Sequence, residues 1–346
     1  MPRGAGRRPS MTDVGRLAGV SAQTVSRYFN DGYVSGEARE RVEAAVNELG
    51  YVRNRLPVQL RATQTNMIGV VLLGPLNYGN TSIMTGLYRA ARELGQTVMT
   101  THMAQDPAGS EELMAQVLGE VDGFLSMRVD ALVLASPYPS LAAVAEHVGS
   151  ATAVVTIAEL DDDASDAVGG YSCDGARMVV EHLLALGHRR ILHVAGPLDR
   201  QQARARLHGY RDGLAAAGLA PLPALEAEEW DARSGAQCAL RAPLDDFSAV
   251  FASNDEIALG FMTGMARRGR RAPEDYIIAG FDDMPDARFL IPALTTARVD
   301  FEAVGEAGLV AAVARAGGRE VLRPRVRPEL VVRESTAGGA ASSLLA

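Results

Sequence analysis

Lysine is absent from the 346-residue sequence. All 34 basic residues are arginine, a bias that a GC-rich coding sequence explains better than any functional demand. Cysteine is nearly absent. Cys173 and Cys238 show neither metal-ligand nor redox spacing and read as reduced cytosolic thiols. No apolar run approaches the roughly 18 residues needed to cross a bilayer. The basic N-terminus lacks the apolar stretch of a secretion signal, so a cytoplasmic location and no membrane partner are expected. His102, His147, His182, His188, His193 and His208 are scattered, with no HxH or HExxH spacing. A Gly-x-Ser-x-Gly elbow and a P-loop are missing as well. These absences argue against an enzyme and leave no catalytic residue, metal or cofactor to name.

What is present is enough for more than one core. Hydrophobic residues make up 47% and charged residues 22%, ordinary values for a soluble chain. The net charge of −8 is unevenly placed. Residues 1–61 hold ten Arg against six acidic residues, a balance of +4; the rest holds 24 Arg against 36, a balance of −12. A small basic head on an acidic body fits a segregated DNA-binding module.

The segment from Thr12 to Asn30 carries the head's character. Val14, Leu17 and Ala18 recur at helical spacing and predict a short buried face. Ala18-Gly19-Val20-Ser21 makes the break, with Gly19 free to take positive φ, Val20 in the core and Ser21 as N-cap of a second helix. Val25 and Phe29 face inward on that helix, while Ala22, Gln23, Ser26 and Arg27 point outward. Gln pairs with adenine and Arg with guanine in the major groove. Thr24, Ser26 and the helix N-terminus suit phosphates. A third helix is expected from a Ser35 cap, with a stripe of Ala38, Val42, Ala45, Val46 and Leu49, stopping at Gly50-Tyr51. Two short helices joined by a tight Gly turn, plus this third, make a helix-turn-helix bundle.

Residues 14–27 (Val-Gly-Arg-Leu-Ala-Gly-Val-Ser-Ala-Gln-Thr-Val-Ser-Arg) and 39–51 (Arg-Glu-Arg-Val-Glu-Ala-Ala-Val-Asn-Glu-Leu-Gly-Tyr) together resemble the lactose-repressor (LacI/GalR) family. The resemblance implies a sequence-specific regulator, a repressor of sugar-utilisation genes, binding pseudo-palindromic double-stranded operator DNA as a homodimer. It implies DNA contacts from Thr12, Ser21, Ala22, Gln23, Thr24, Ser26, Arg27, Asn30, Tyr33, Asn54 and Leu60. Residues 52–64 match a hinge that becomes helical on DNA, with Leu60 in the place of the leucine that wedges the minor groove. Pro57 departs from the family's usual alanine and limits where that helix begins.

From Met67 the pattern alternates. Strands are expected over Met67–Leu73, Thr97–His102, Ala131–Ser136, Ala153–Ile157, Arg190–Ala195, Ala249–Ser253 and Tyr276–Phe281. Helices such as Asp174–Leu186 and Gln202–Ala217 lie between them. This rhythm predicts two doubly wound α/β lobes. The resemblance adds the type I periplasmic-binding-protein-like architecture, with crossovers near 160–170, 294–299 and 320–326. The expected organisation is a basic arm (1–9), a three-helix head (10–53), a hinge (54–65), a sensor (66–336) and a flexible tail (337–346). Within the sensor, lobe 66–165 joins 298–322 and lobe 166–297 joins 323–336.

In open α/β sheets ligands bind beyond the C-terminal strand ends, here between lobes. Asn254-Asp255 and Asp282-Asp283 follow two such strands, and Arg206 lies in a helix after Gly196-Pro197. Arg206, Asn254 and Asp282 match groups the family uses on effector hydroxyls or carboxylates; Asp255 joins them. Trp230, the single tryptophan, and Phe301 fall where sugar-responsive members place aromatics. Asp283 is expected to bond loop backbone, Asp300 to close the cleft or cap a helix, and His188 to be structural. Pro139 stands where the family's namesake has a sugar-contacting aspartate. The effector implied is a sugar or sugar derivative of undetermined identity. The C-terminus lacks the leucine heptads of tetrameric members, which favours a dimer. A transport-type binding protein and a constitutive nucleoid protein are the competing classes. The missing signal peptide and the helix-turn-helix oppose the first, and the polar strand ends oppose the second.

Overall fold

Ser10 and Asp13 cap one another at the start of the head: Asp13 N donates to Ser10 Oγ at 3.3 Å and Ser10 N to Asp13 Oδ2 at 2.9 Å. The computed structural model describes residues 9–30, 32–52, 64–106, 110–136, 138, 141–150, 152–159, 168–319 and 325–337. Asn54, Pro57, Leu60, Pro139, most of the arm and the tail from residue 338 lie outside them. The chain divides into two units, Met1–Thr65 and Asn66–Ala346.

In the first unit, α1 (Met11–Ala18) ends at Gly19, which has φ of 66°. Ser21 opens α2 (Ala22–Phe29), and α3 (Gly36–Leu49) stops at Gly50 in the left-handed conformation. Val14, Ala18, Val25, Val42, Ala45 and Tyr51 form the core, with Val20, Phe29, Val46 and Leu49 packed on it. Leu17 is a correction. It is 45% exposed, because the buried stripe runs through Val14, Gly15 and Ala18 and leaves it beyond the edge. Ser35 is a second. It occupies the N-cap of α3 without a side-chain cap bond; Glu37 in the first turn supplies the negative charge that suits a helix N-terminus.

The second unit opens with β1 (Met67–Leu73), α4 (Tyr78–Glu93), β2 (Thr97–Met103), α5 (Glu111–Ser126), β3 (Ala131–Ala135), α6 (Leu141–Val148) and β4 (Ala153–Ile157). These strands form a parallel sheet in the order β2-β1-β3-β4. Along β1, Ile68, Val70 and Leu72 enter one apolar cluster while Val71 and Leu73 enter the other. Helices thus cover both faces, as a buried parallel strand requires.

The second lobe follows with β5 (Gly169–Gly170), α7 (Ser172–Ala185), β6 (Ile191–Ala195), α8 (Gln201–Ala216), β7 (Leu225–Glu226), α9 (Ala232–Arg241), β8 (Ala249–Ala252), α10 (Asp255–Arg267), β9 (Ile277–Asp282) and β10 (Thr295–Arg298). After Arg298 the chain returns to the first lobe as α11 (Phe301–Ala316), which packs on α4 and β4. Short β11 (Arg325–Val326) pairs with β5. β12 (Glu329–Val331) then closes the second sheet, antiparallel to β10, before α12 (Glu334–Ala337). The order is β12-β10-β9-β8-β6-β7. The C-terminal ends of β6, β8 and β9, with the helices that follow them, frame one side of a cleft.

Candidate functional site

The first candidate surface is α2. Its N-terminus is fixed by Thr24 N donating to Ser21 Oγ at 3.1 Å, with the two hydroxyls 2.9 Å apart. Val25 is fully buried, which turns Ala22, Gln23 and Arg27 out to solvent; Ser21 and Asn30 are exposed too. Thr24 and Ser26 are half-buried. Asn30 Nδ2 donates to the Ser26 carbonyl at 2.8 Å. Thr12 is exposed in the first turn of α1, and Tyr33 is 90% exposed beyond α2. No acidic residue stands in the first turn of α2. The helix therefore offers an amide, a guanidinium and small hydroxyls beside a positive helix end, the chemistry that base edges and phosphates take.

The second candidate is the cleft in the sensor unit. Two adjoining cavities of about 60 and 50 Å³ share Asn80, Ile83, Gln202, Arg206 and Phe301. Arg206 is 4% exposed and organises the second-lobe wall. Its Nη1 donates to the Ser253 carbonyl, its Nη2 to Asp282 Oδ1 at 2.9 Å, and its guanidinium lies 3.9 Å from the Phe281 ring centroid and 5.3 Å from Trp230. Arg206 Nε and Gln202 Oε1 are buried without hydrogen-bond partners. One buried donor and one buried acceptor are thus left open in this wall. Burial pushes the Asp282 carboxyl up to about 6, against the pull of Arg206.

Arg206, Trp230, Asp282 and Phe301 all line this cavity. Asn254 and Asp255 do not. Asn254 Oδ1 caps α10 by accepting from Ile257 N at 2.8 Å, and its Nδ2 donates to the Trp230 carbonyl at 3.2 Å. Asp255 is 1% exposed and accepts from Thr296 Oγ1 at 2.6 Å and Met284 N at 2.8 Å. Desolvation holds its carboxyl well above the usual range. Both tie strand ends together beneath the cleft.

Asp283 differs from the sequence expectation. It accepts from Arg298 Nε and Arg333 Nη2, each at 2.7 Å, and so joins side chains rather than loop backbone. Asp300 caps α11 through Ala303 N at 2.9 Å. His188 Nδ1 sits 2.9 Å from Ser248 Oγ.

Apart from Phe301, the first-lobe wall escaped sequence reasoning. Asn77 caps α4 by accepting from Asn80 N at 3.0 Å, and both line the cavity after the C-terminal end of β1. Applying the strand-end rule to β1 would have found them. Gln202 lies one helical turn before Arg206, a spacing that points both to one side of α8. Glu159 accepts from Ser172 N at 2.6 Å and Ser172 Oγ at 2.8 Å, closing the cleft's far end. Across the cleft, the Arg200 guanidinium stands 4.8 Å from the Tyr138 ring centroid, and within the first lobe Tyr78 meets Phe301 edge-on at 6.1 Å.

A three-helix head with an exposed second helix, joined in one chain to a two-lobed α/β unit with a polar cleft, defines a ligand-responsive DNA-binding regulator. Residues 10–54 match the family described as bacterial regulatory proteins, lacI family, and residues 180–336 a periplasmic binding protein-like domain. The chain is 32% identical to the lactose operon repressor of Escherichia coli (strain K12) over 94% of its own length and 90% of the repressor's. It superimposes on the lac repressor dimer bound to operator and the anti-inducer ONPF with a TM-score of 0.85, at 31% identity, covering 95% of this chain and 99% of that one. It also matches a transcriptional regulator CelR–cellobiose complex with a TM-score of 0.68, at 28% identity, covering 95% and 100%. The chain belongs to the lacI family of transcriptional regulators. These relatives are regulators rather than enzymes. No helix among the described residues is long and apolar enough to cross a membrane.

Proposed function

We propose that this protein is a homodimeric repressor of sugar-utilisation genes whose DNA affinity is set by a sugar-like effector in the cleft. The observation that carries the effector half is the buried Arg206–Asp282 pair. It leaves Arg206 Nε and Gln202 Oε1 open beside Trp230 and Phe301. Paired donors and acceptors next to aromatic faces suit a hydroxylated ring. Arg206, Trp230, Asp282 and Phe301 are the contacting residues in this reading, and Asn254 and Asp255 position them. A relative solved with cellobiose supports a carbohydrate.

On the DNA side, Gln23 and Arg27 read bases, while Ser21, Ala22, Thr24, Ser26, Thr12, Asn30, Tyr33 and Asn54 fix the register. Leu60 wedges the minor groove from a hinge helix that starts at Leu56 or Pro57. A relative solved as an operator-bound dimer supports paired heads on a pseudo-palindrome. The effector acts through its differential affinity for two arrangements of the lobes.

A thermal-shift screen of sugars and sugar phosphates tests the effector reading. At least one sugar should raise the melting temperature of the wild type, and Arg206→Ala, folded but unresponsive, should abolish that shift. A panel that shifts nothing, or a shift that survives Arg206→Ala, contradicts it.

A further inference from the structure

Helices α7 and α8 of the second lobe pack along one another, and Gly209 of α8 faces the first turn of α7. A Cβ on Gly209 would collide with the Cys173 carbonyl and lie 2.9 Å from the Ala176 Cβ. Glycine therefore lets the side chains around position 209 reach Cys173. His208 and Asp212 are four residues apart on α8 and share one face. One ligand atom from each of Cys173, His208 and Asp212 lies within 4.8 Å of the other two, the one such group of three or more His, Cys, Asp or Glu among the described residues.

His208 Nε2 stands 3.3 Å from Asp212 Oδ2. Two ligands bound at about 2.0–2.1 Å span roughly that edge in a tetrahedron. Cys173 is half-buried and His208 exposed, so the group has a packed side and an open side. The nearby cation on α7 is engaged, with Arg177 Nη2 donating to Asp174 Oδ1 at 3.0 Å.

We propose that Cys173, His208 and Asp212 form a binding site for one zinc ion, with water in the fourth position. A thiolate and an imidazole select zinc over magnesium or calcium, and a single carboxylate completes a neutral complex with a divalent ion. The ion bridges α7 to α8 one residue from Ser172 and two from Arg206, both of which line the cleft. It would brace the second-lobe wall from behind. Sequence spacing concealed the group because its members belong to separate helices.

Cobalt(II) is a direct probe, since thiolate ligation gives a charge-transfer absorption that carboxylate and imidazole ligation do not. The full-length chain, freed of any affinity tag, should develop that band at one equivalent of cobalt and lose it when zinc is added. Cys173→Ser should abolish the band. His208→Gln and Asp212→Asn, at solvent-accessible positions, should each weaken binding by about a hundredfold or more, because even an outer-shell partner is worth about 10–100-fold. Zinc should raise the melting temperature of the wild type and of none of the three variants. No band with the wild type, a band retained in Cys173→Ser, or unchanged affinity in both α8 variants overturns the site.

Discussion

Arg206 and Asp282 form an ion pair of 2.9 Å in which both side chains are almost wholly withdrawn from water, 5% and 12% exposed. Asp282 reaches it from a left-handed backbone with φ of 102°, at the last residue of β9. A buried pair of this kind is costly to break, because the surviving charge is left without a partner. It gains its value here by presenting an oriented guanidinium and carboxylate to the cleft.

In the proposed reading, the pair makes effector binding sensitive to acid. Burial pushes the Asp282 carboxyl up to about 6, so it takes up a proton as pH falls through that value. An effector hydroxyl that donates to the carboxylate loses its acceptor. Affinity measured by calorimetry should hold steady from about pH 8 to 7 and fall roughly tenfold per unit below about pH 6. Asp282→Asn should bind weakly with a flat profile. Equal affinity at pH 7.5 and 5 would remove the carboxylate from the site.

Stability carries a different acid response, from His193. Its ring lies between Tyr210 and Phe251 with centroids at 4.9 and 4.7 Å, and Nδ1 is 2.9 Å from the Phe251 carbonyl. Complete burial lowers its pKa from 6.5 to about 3. The unfolded chain therefore takes the proton first, so this group's contribution is full above about pH 6.5 and is lost as pH falls toward 3. By pH 5 the loss is on the order of 2 kcal/mol. Urea titrations should show a shallower decline between pH 7 and 5 in His193→Phe than in the wild type. Identical slopes would contradict it.

In the head, Gly15 allows α1 to touch the turn into α2: a Cβ there would lie 2.8 Å from the Val20 carbonyl and 3.3 Å from Ala22 N. Gly15→Ala should destabilise the head by roughly 1–3 kcal/mol. Ser21→Ala removes the α2 cap and should cost about 1 kcal/mol. Hydrogen exchange at the α1 and α2 amides reads both. Protection equal to the wild type in Gly15→Ala would show that the turn has room.

Replacing Gln23 or Arg27 by alanine should weaken specific DNA binding by about 1–3 kcal/mol and relax preference at one base pair each. Competition against single-substituted duplexes measures this. Selectivity unchanged in both variants would take α2 out of the reading position.

Much of this was legible in the sequence where one residue type answers one local demand. Gly19 and Gly50 take the positive φ that ends a helix, Ser21 caps, and continuous apolar runs mark β1 and β3. The strand-end rule pointed to Asp282 and the family resemblance to Arg206, and both line the cavity. The misses share a cause, which is that tertiary packing decides them. Leu17 obeys the helical period but falls outside the contact with α3. Asp283 meets Arg298 and Arg333, side chains from distant parts of the chain. Asn254 and Asp255 sit at a strand end, yet hydrogen bonds to Ile257, Thr296 and Met284 turn them into the frame beneath the cleft.

The central claim is that paired α2 helices read a two-fold operator. Selection of binding sites from a pool of randomised duplexes by the full-length protein tests it most directly. The account predicts enrichment of a pseudo-palindrome whose half-sites lie about one helical turn apart, with the enriched base changing or vanishing in Gln23→Ala and Arg27→Ala. A pool that stays random, or one that yields a single asymmetric site indifferent to both substitutions, would contradict it.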